Sequence, residues 1–202
     1  MLRTKFIFLG LSKYREFLEL QEKLTERKLY KGDKSSYIII TEHYPIYTLG
    51  KRINREDLPK KSLAPILKLD RGGGITFHGF GQIVVYPIIN LKDYNLSLKK
   101  YIWTLEDIMI KTLKFFKIEA YRQDGLIGVF TDKGKIGFIG VKVSKFITNY
   151  GFSINYDVDK KFFENINPCG LKNMKIANVR DFTNITKEEF LSKLYEEVKN
   201  RF

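Results

Sequence analysis

The chain has 202 residues, a formal charge of +13, an apolar fraction of 44% and an aromatic fraction of 14%. That length and apolar content fit one domain, residues 1–202, with a core of its own, and exclude a disordered chain. No apolar run approaches the ~20 residues that cross a bilayer, and the N-terminal MLRTKFIFLG lacks a small-residue cleavage site, so neither a membrane segment nor a secretion signal is expected.

One cysteine cannot make an internal disulfide, which suits a reducing cytoplasm. With only two histidines beside it, a metal centre is not expected either. The positive charge favours an acidic partner, nucleic acid or protein. A lysine-rich surface suited to high temperature is the plainer explanation.

Taken in order, residues 4–9 read as a strand and residues 12–30 as an amphipathic helix. Ser12 is the expected N-cap, with Phe17, Leu20 and Leu24 at helical spacing. Residues 36–42 (SYIIITE) form a β-branched strand, and a short run follows at 46–49. Residues 51–64 are polar and proline-punctuated, as in a surface loop. Short strands are expected at 66–69 and 82–87.

A turn at 93–97 precedes a long helix reaching about residue 117, with Leu98, Ile102, Leu105, Met109, Leu113 and Phe116 as its buried stripe. Strands follow at 119–122, 126–130, 135–143 and 145–155. Thr131-Asp132-Lys133-Gly134 is a hairpin signal between the second and third of these. A helical piece is expected at 159–165. Thr186 and Glu189 make a capping box for a last helix that buries Phe190, Leu194 and Val198. No repeat or linker divides this mixed α/β pattern.

Three stretches bear on chemistry. The first is DRGGGITFHGFGQ, residues 70–82, with glycines at 72, 73, 74, 79 and 81. It lacks the dinucleotide G-x-G-x-x-G order, because Phe77 stands at the last glycine, and Gly134-Lys135 has no P-loop around it. A backbone cradle flanked by Arg71 and His78 remains, suited to an acyl chain or a phosphate, with a plain tight turn as the alternative. The second stretch is Pro168-Cys169-Gly170, holding the single cysteine. A lone cysteine is more often a small buried hydrophobe than a nucleophile, and attack requires a thiolate whose pKa is lowered by a nearby cation. The third is Lys135, at the start of an apolar strand. Spacing alone does not select it among the lysines.

The motifs together select more. Arg71-Gly72-Gly73 through Thr76, His78-Gly79, Gly81-Gln82 and Tyr86-Pro87 follow His43-Tyr44-Pro45 and Tyr47-Thr48-Leu49-Gly50. They precede Lys135-Ile136, Ile139-Gly140, Gly151-Phe152 with Asn155, and Pro168-Cys169-Gly170. In that order, over nearly the whole length, the chain resembles the lipoyl(octanoyl) transferase family of lipoate biosynthesis. The resemblance implies the mixed sheet with flanking helices of the biotin and lipoate protein ligase catalytic domain. It also implies transfer of an octanoyl (or lipoyl) group from acyl carrier protein to a lysine of a lipoyl domain, the first step of endogenous protein lipoylation. Acceptors would be the lipoyl domains of 2-oxoacid dehydrogenase complexes and the glycine cleavage H protein.

Carried over residue by residue, the resemblance makes Cys169 the acyl-thioester nucleophile and Lys135 the residue that lowers its pKa. Substrate binding would fall to Arg71, Gly72, Gly73, Gly74, Ile75, Thr76, Phe77 and His78, to Phe138, Ile139 and Gly140, and to Gly151, Phe152 and Ser153. No cofactor or metal is implied. The chain departs from the family at Phe80 (usually proline), Phe130 (often tryptophan), Tyr150 (commonly histidine) and Ser153 (usually alanine). An ATP-dependent lipoate ligase shares the fold but has no need of the cysteine. A nucleic-acid-binding module fits the charge but leaves the glycines and cysteine unexplained, so neither nucleic acid nor membrane is an expected partner.

Overall fold

The apolar runs of the second and sixth strands are buried on both faces, and the architecture follows from that. In the computed structural model, which describes residues 3–167 and 174–202, nine strands form two sheets. The strands are β1 (Thr4–Ser12), β2 (Ser36–His43), β3 (Ile46–Leu49), β4 (Ile66–Lys68), β5 (Ile75–His78), β6 (Gln82–Ile88), β7 (Val129–Thr131), β8 (Gly134–Ser144) and β9 (Ile147–Asn155). The helices are α1 (Tyr14–Tyr30), α2 (Leu98–Phe115), α3 (Lys161–Glu164) and α4 (Lys187–Lys199).

The large sheet runs β1-β2-β6-β9-β8-β7, antiparallel except for β1 beside β2. The small sheet runs β4-β3-β5. Side chains alternate across a strand, so Ile38, Ile40, Ile83 and Val85 face α2 and α4, where they meet Leu105, Met109, Phe190 and Leu194. Their neighbours Tyr37, Ile39, Val84 and Tyr86 face α1 and meet Tyr14, Phe17 and Leu24. Each fully buried side chain of this size contributes about 1.5–3 kcal/mol. A third cluster joins Tyr47, Ile75 and Phe77 of the small sheet to Phe138 and Phe163.

The mixed α/β class and most expected elements are present. Thr186 and Glu189 cap α4 reciprocally, at 2.7 and 3.2 Å. Five expectations need correction. Ser12 is not an N-cap; it ends β1, where its hydroxyl meets Thr41 Oγ1 at 2.8 Å, and α1 begins at Tyr14. Residues 119–122 form no strand, only a bridge from Tyr121 to Phe130, and the strand expected at 126–130 begins at Val129. Residues 75–78, expected to be part of the cradle, form the short strand β5, paired antiparallel with β3. In α2, Leu98 is 48% exposed, while Tyr101 and Ile108 are buried in the core.

Candidate functional site

β4 delivers the chain into residues 69–74, and β5 takes it away. Arg71 is buried there. Its Nη2 donates to the carbonyl oxygen and hydroxyl of Thr48 at 2.8 and 2.7 Å, and its Nη1 donates to the Gly72 carbonyl oxygen at 2.9 Å. The backbone is laced on both sides. Gly50 N–H donates to Gly74, Arg52 N–H to Gly73, and Gly72 N–H to Val141 of β8. This close approach needs glycine: a Cβ at Gly50 would stand 2.3 Å from the Gly73 carbonyl oxygen, and Gly73 itself has φ +85°. The glycine-rich stretch is therefore a rigid wall clamped to two strands.

That wall bounds a cavity of about 450 Å³, open solvent included. The three segments singled out by resemblance meet around it. Arg71, Gly73, Gly74, Ile75, Thr76 and His78 line one side, Phe138, Ile139 and Gly140 another, and Gly151, Phe152 and Ser153 a third. Two residues of the set do not line it. Phe77 points to the other face of β5, stacked on Phe162 at 4.3 Å, and Gly72 lines a neighbouring cleft. The cavity also takes in Tyr14, Val84, Tyr86 and Tyr150, which the segments omitted. Tyr14 carries no motif. It reaches the cavity only because α1 packs across β6.

The histidine and tyrosines behind this cavity are held neutral beside the Arg71 guanidinium, which keeps its charge. Burial pushes His78 down to about 3 and His43, just behind it, down to about 4. Burial likewise raises Tyr14 and Tyr86, so both hydroxyls keep their protons. The Oγ atoms of Thr76 and Ser153 are buried without a hydrogen-bond partner.

A larger cleft, about 1,610 Å³ including open solvent, shares the Gly73-Gly74 and Ile139-Gly140 walls with the cavity. Lys51 and Arg52 stand among its lining residues, and so do the exposed Leu98 and Ile127. Lys135 reaches this cleft while only 1% exposed. Its Nζ donates to the Ile127 carbonyl oxygen at 2.8 Å and lies 5.1 Å from the ring centres of both Phe130 and Phe138. The Phe138 ring thus joins the lysine to the cavity.

Cys169 lies outside the described residues. The chain that resumes at Met174 runs beside Lys135, whose N–H donates to Lys175 at 2.9 Å and whose carbonyl oxygen accepts from Ala177 at 3.0 Å. The strand of Lys135 and the chain that follows Cys169 are therefore hydrogen-bonded neighbours.

The family model described as "Lipoyl protein ligase A/B catalytic domain" matches residues 13–199. The chain belongs to this family. Its relatives include the octanoyltransferase of Persephonella marina, 46% identical over 194 residues, covering 96% of this chain and 95% of that protein. The octanoyltransferase of Wigglesworthia glossinidia brevipalpis is 36% identical, covering 98% and 91%. The resemblance read from the motifs is thus borne out.

Among solved structures, a putative lipoate protein ligase of Thermoplasma acidophilum with bound lipoic acid superposes with a TM-score of 0.78. It is 14% identical, over 99% of this chain and 86% of that one. The biotin protein ligase of Aquifex aeolicus superposes at 0.53 and 14% identity, over 100% and 69%. These two establish the shared fold.

Proposed function

We propose that the chain is an octanoyltransferase, moving an octanoyl group from acyl carrier protein to a lysine of a lipoyl domain through a thioester on Cys169. The observation that carries this reading is the largely apolar cavity that meets, at Phe138, the lysine whose strand is paired with the chain following Cys169. The names of the relatives supply the reaction class.

The reaction balances on these residues. Lys135 as ammonium stabilises the Cys169 thiolate, whose Sγ attacks the thioester carbonyl while Thr76, Phe138 and Ser153 enclose the acyl chain. The carrier's sulfur leaves and takes a proton from Lys135. The neutral amine of the acceptor lysine then attacks the acyl-cysteine, and the carbon–sulfur bond breaks. Lys135 accepts the proton lost by the amine, so thiolate and ammonium are restored. No ATP is consumed, because thioester exchange is nearly isoenergetic and amide formation from a thioester is downhill.

The +13 charge favours acidic carriers and lipoyl domains as partners. No described helix is long and apolar enough to cross a membrane, and the cytoplasm is the proposed site of action.

Intact-protein mass after brief exposure to octanoyl acyl carrier protein tests this. One hydroxylamine-sensitive octanoyl group, absent in Cys169→Ser, is expected. No adduct, with modification of a lipoyl domain by ATP and free octanoate instead, would make the chain a ligase.

A further inference from the structure

A chain of buried amides links the cavity to the backbone beside Lys135. His78 Nδ1 lies 2.6 Å from Gln82 Oε1, Gln82 Nε2 donates to Asn155 Oδ1 at 2.9 Å, and Asn155 Nδ2 donates to the Ala177 carbonyl oxygen at 3.3 Å. Gln82 and Asn155 are directly paired across β6 and β9, and both are 0% exposed.

The direction of the chain is determined by its last link. A carbonyl oxygen only accepts, so Asn155 must present its amino group to Ala177 and its oxygen to Gln82. Gln82 then presents its oxygen to His78, which must carry its proton on Nδ1. Every donor therefore points one way, from the cavity toward Ala177.

Ala177 is held from two sides. Its N–H donates to the Lys135 carbonyl oxygen, and its own carbonyl oxygen is held by Asn155. The neighbouring Ile176 is the parallel bridge partner of Lys135. Without Asn155, the short parallel pairing of residues 175–177 with Lys135 would lose its side-chain anchor to the large sheet, and the Gln82 amide and Ala177 carbonyl would each lose a buried partner.

We propose that Asn155 is a positioning residue that sets the backbone of Lys135 against the chain leaving Cys169; this rests on the acyl-transfer reading. Asn155 does not touch the acyl group. It acts through the Ala177 carbonyl, and a displacement of about 1 Å at the reacting groups costs on the order of 100-fold in rate.

The test uses the pH dependence of iodoacetamide alkylation, which reports on Cys169 alone because the chain has no other cysteine. It is paired with the rate of octanoyl loading from the acyl carrier. Wild type is expected to alkylate with a midpoint below the ~8.5 of a free thiol, and Lys135→Met near it. Asn155→Leu, similar in volume, is expected to move the midpoint up toward that of Lys135→Met and to slow loading by about 10- to 100-fold. Gln82→Leu, which leaves the Asn155–Ala177 bond in place, is expected to do less of both. Should Asn155→Leu fail to fold, Asn155→Asp keeps the shape and, as a carboxylate, loses the donor, so the same shift is expected from it.

A folded Asn155 variant with the wild-type midpoint and loading rate, beside a shifted Lys135→Met, overturns the inference alone. Identical midpoints for wild type and Lys135→Met overturn the thiolate–ammonium pairing and this inference with it.

Discussion

Thr48 and Arg71 hold each other twice, through the carbonyl oxygen and the hydroxyl of one residue and a single guanidinium nitrogen of the other. This joins the glycine-rich wall to β3, while the Gly72 N–H joins it to Val141 of β8. Arg71→Met, which keeps the length but leaves buried acceptors empty, is expected to destabilise the fold by about 2–3 kcal/mol. It is also expected to slow octanoyl loading by about 10-fold or more, because the wall lines the cavity. Thr48→Val, losing only the hydroxyl, is expected to cost about 1 kcal/mol. Urea midpoints compare the two; equal midpoints would mean that the clamp does not support the wall.

The two histidines set an acid limit. Both are neutral in the fold, at about 4 for His43 and about 3 for His78, against an ordinary value near 6.5. Between those values the unfolded chain binds protons that the folded chain refuses. The stability they contribute is complete above about pH 6.5 and is lost as pH falls toward 4, by up to ~1.4 kcal/mol per pH unit for each. Asp33, held at about 2 chiefly by the Tyr37 hydroxyl, loses its contribution only at lower pH. A urea midpoint that is the same at pH 5 and pH 7 would contradict the buried neutral histidines.

Ser153 has a buried hydroxyl with no partner, on the face of β9 that lines the cavity. A buried polar atom without a hydrogen bond costs about 1–3 kcal/mol. Ser153→Ala, restoring the usual residue of the family, is expected to stabilise the free protein by about 1 kcal/mol. Differential scanning calorimetry reads this directly, and a lower Tm would show that the hydroxyl has a partner after all.

Gly151 has no room for a side chain. A Cβ there would lie 2.1 Å from the Val85 carbonyl oxygen, across the β6–β9 pair at the cavity wall. Relief requires the two strands to separate. Gly151→Ala is therefore expected to lose more than about 2 kcal/mol of stability, together with octanoyl loading. Gly125, whose added Cβ would meet nothing within 4 Å but whose φ is +76°, should lose only about 1–2 kcal/mol as alanine. Chemical unfolding of the pair separates crowding from backbone strain.

The sequence alone determined the elements with strong local causes. The β-branched runs of β2 and β6, the α4 capping box and the turn at Asp132-Lys133 each have a cause within a few residues. The ordered motifs determined the family, since shared descent is recorded in residue identities. Tertiary structure alone decided how these parts meet. Tyr14 reaches the cavity because α1 crosses β6, and Phe77 turns away from it because side chains alternate along β5. Leu98 and Ile102 leave the expected stripe of α2 to line the cleft beside Lys135. Lys135 itself stood out from the other lysines only by resemblance. Its pairing with Ala177 joins residues more than 40 positions apart, and no local pattern encodes that.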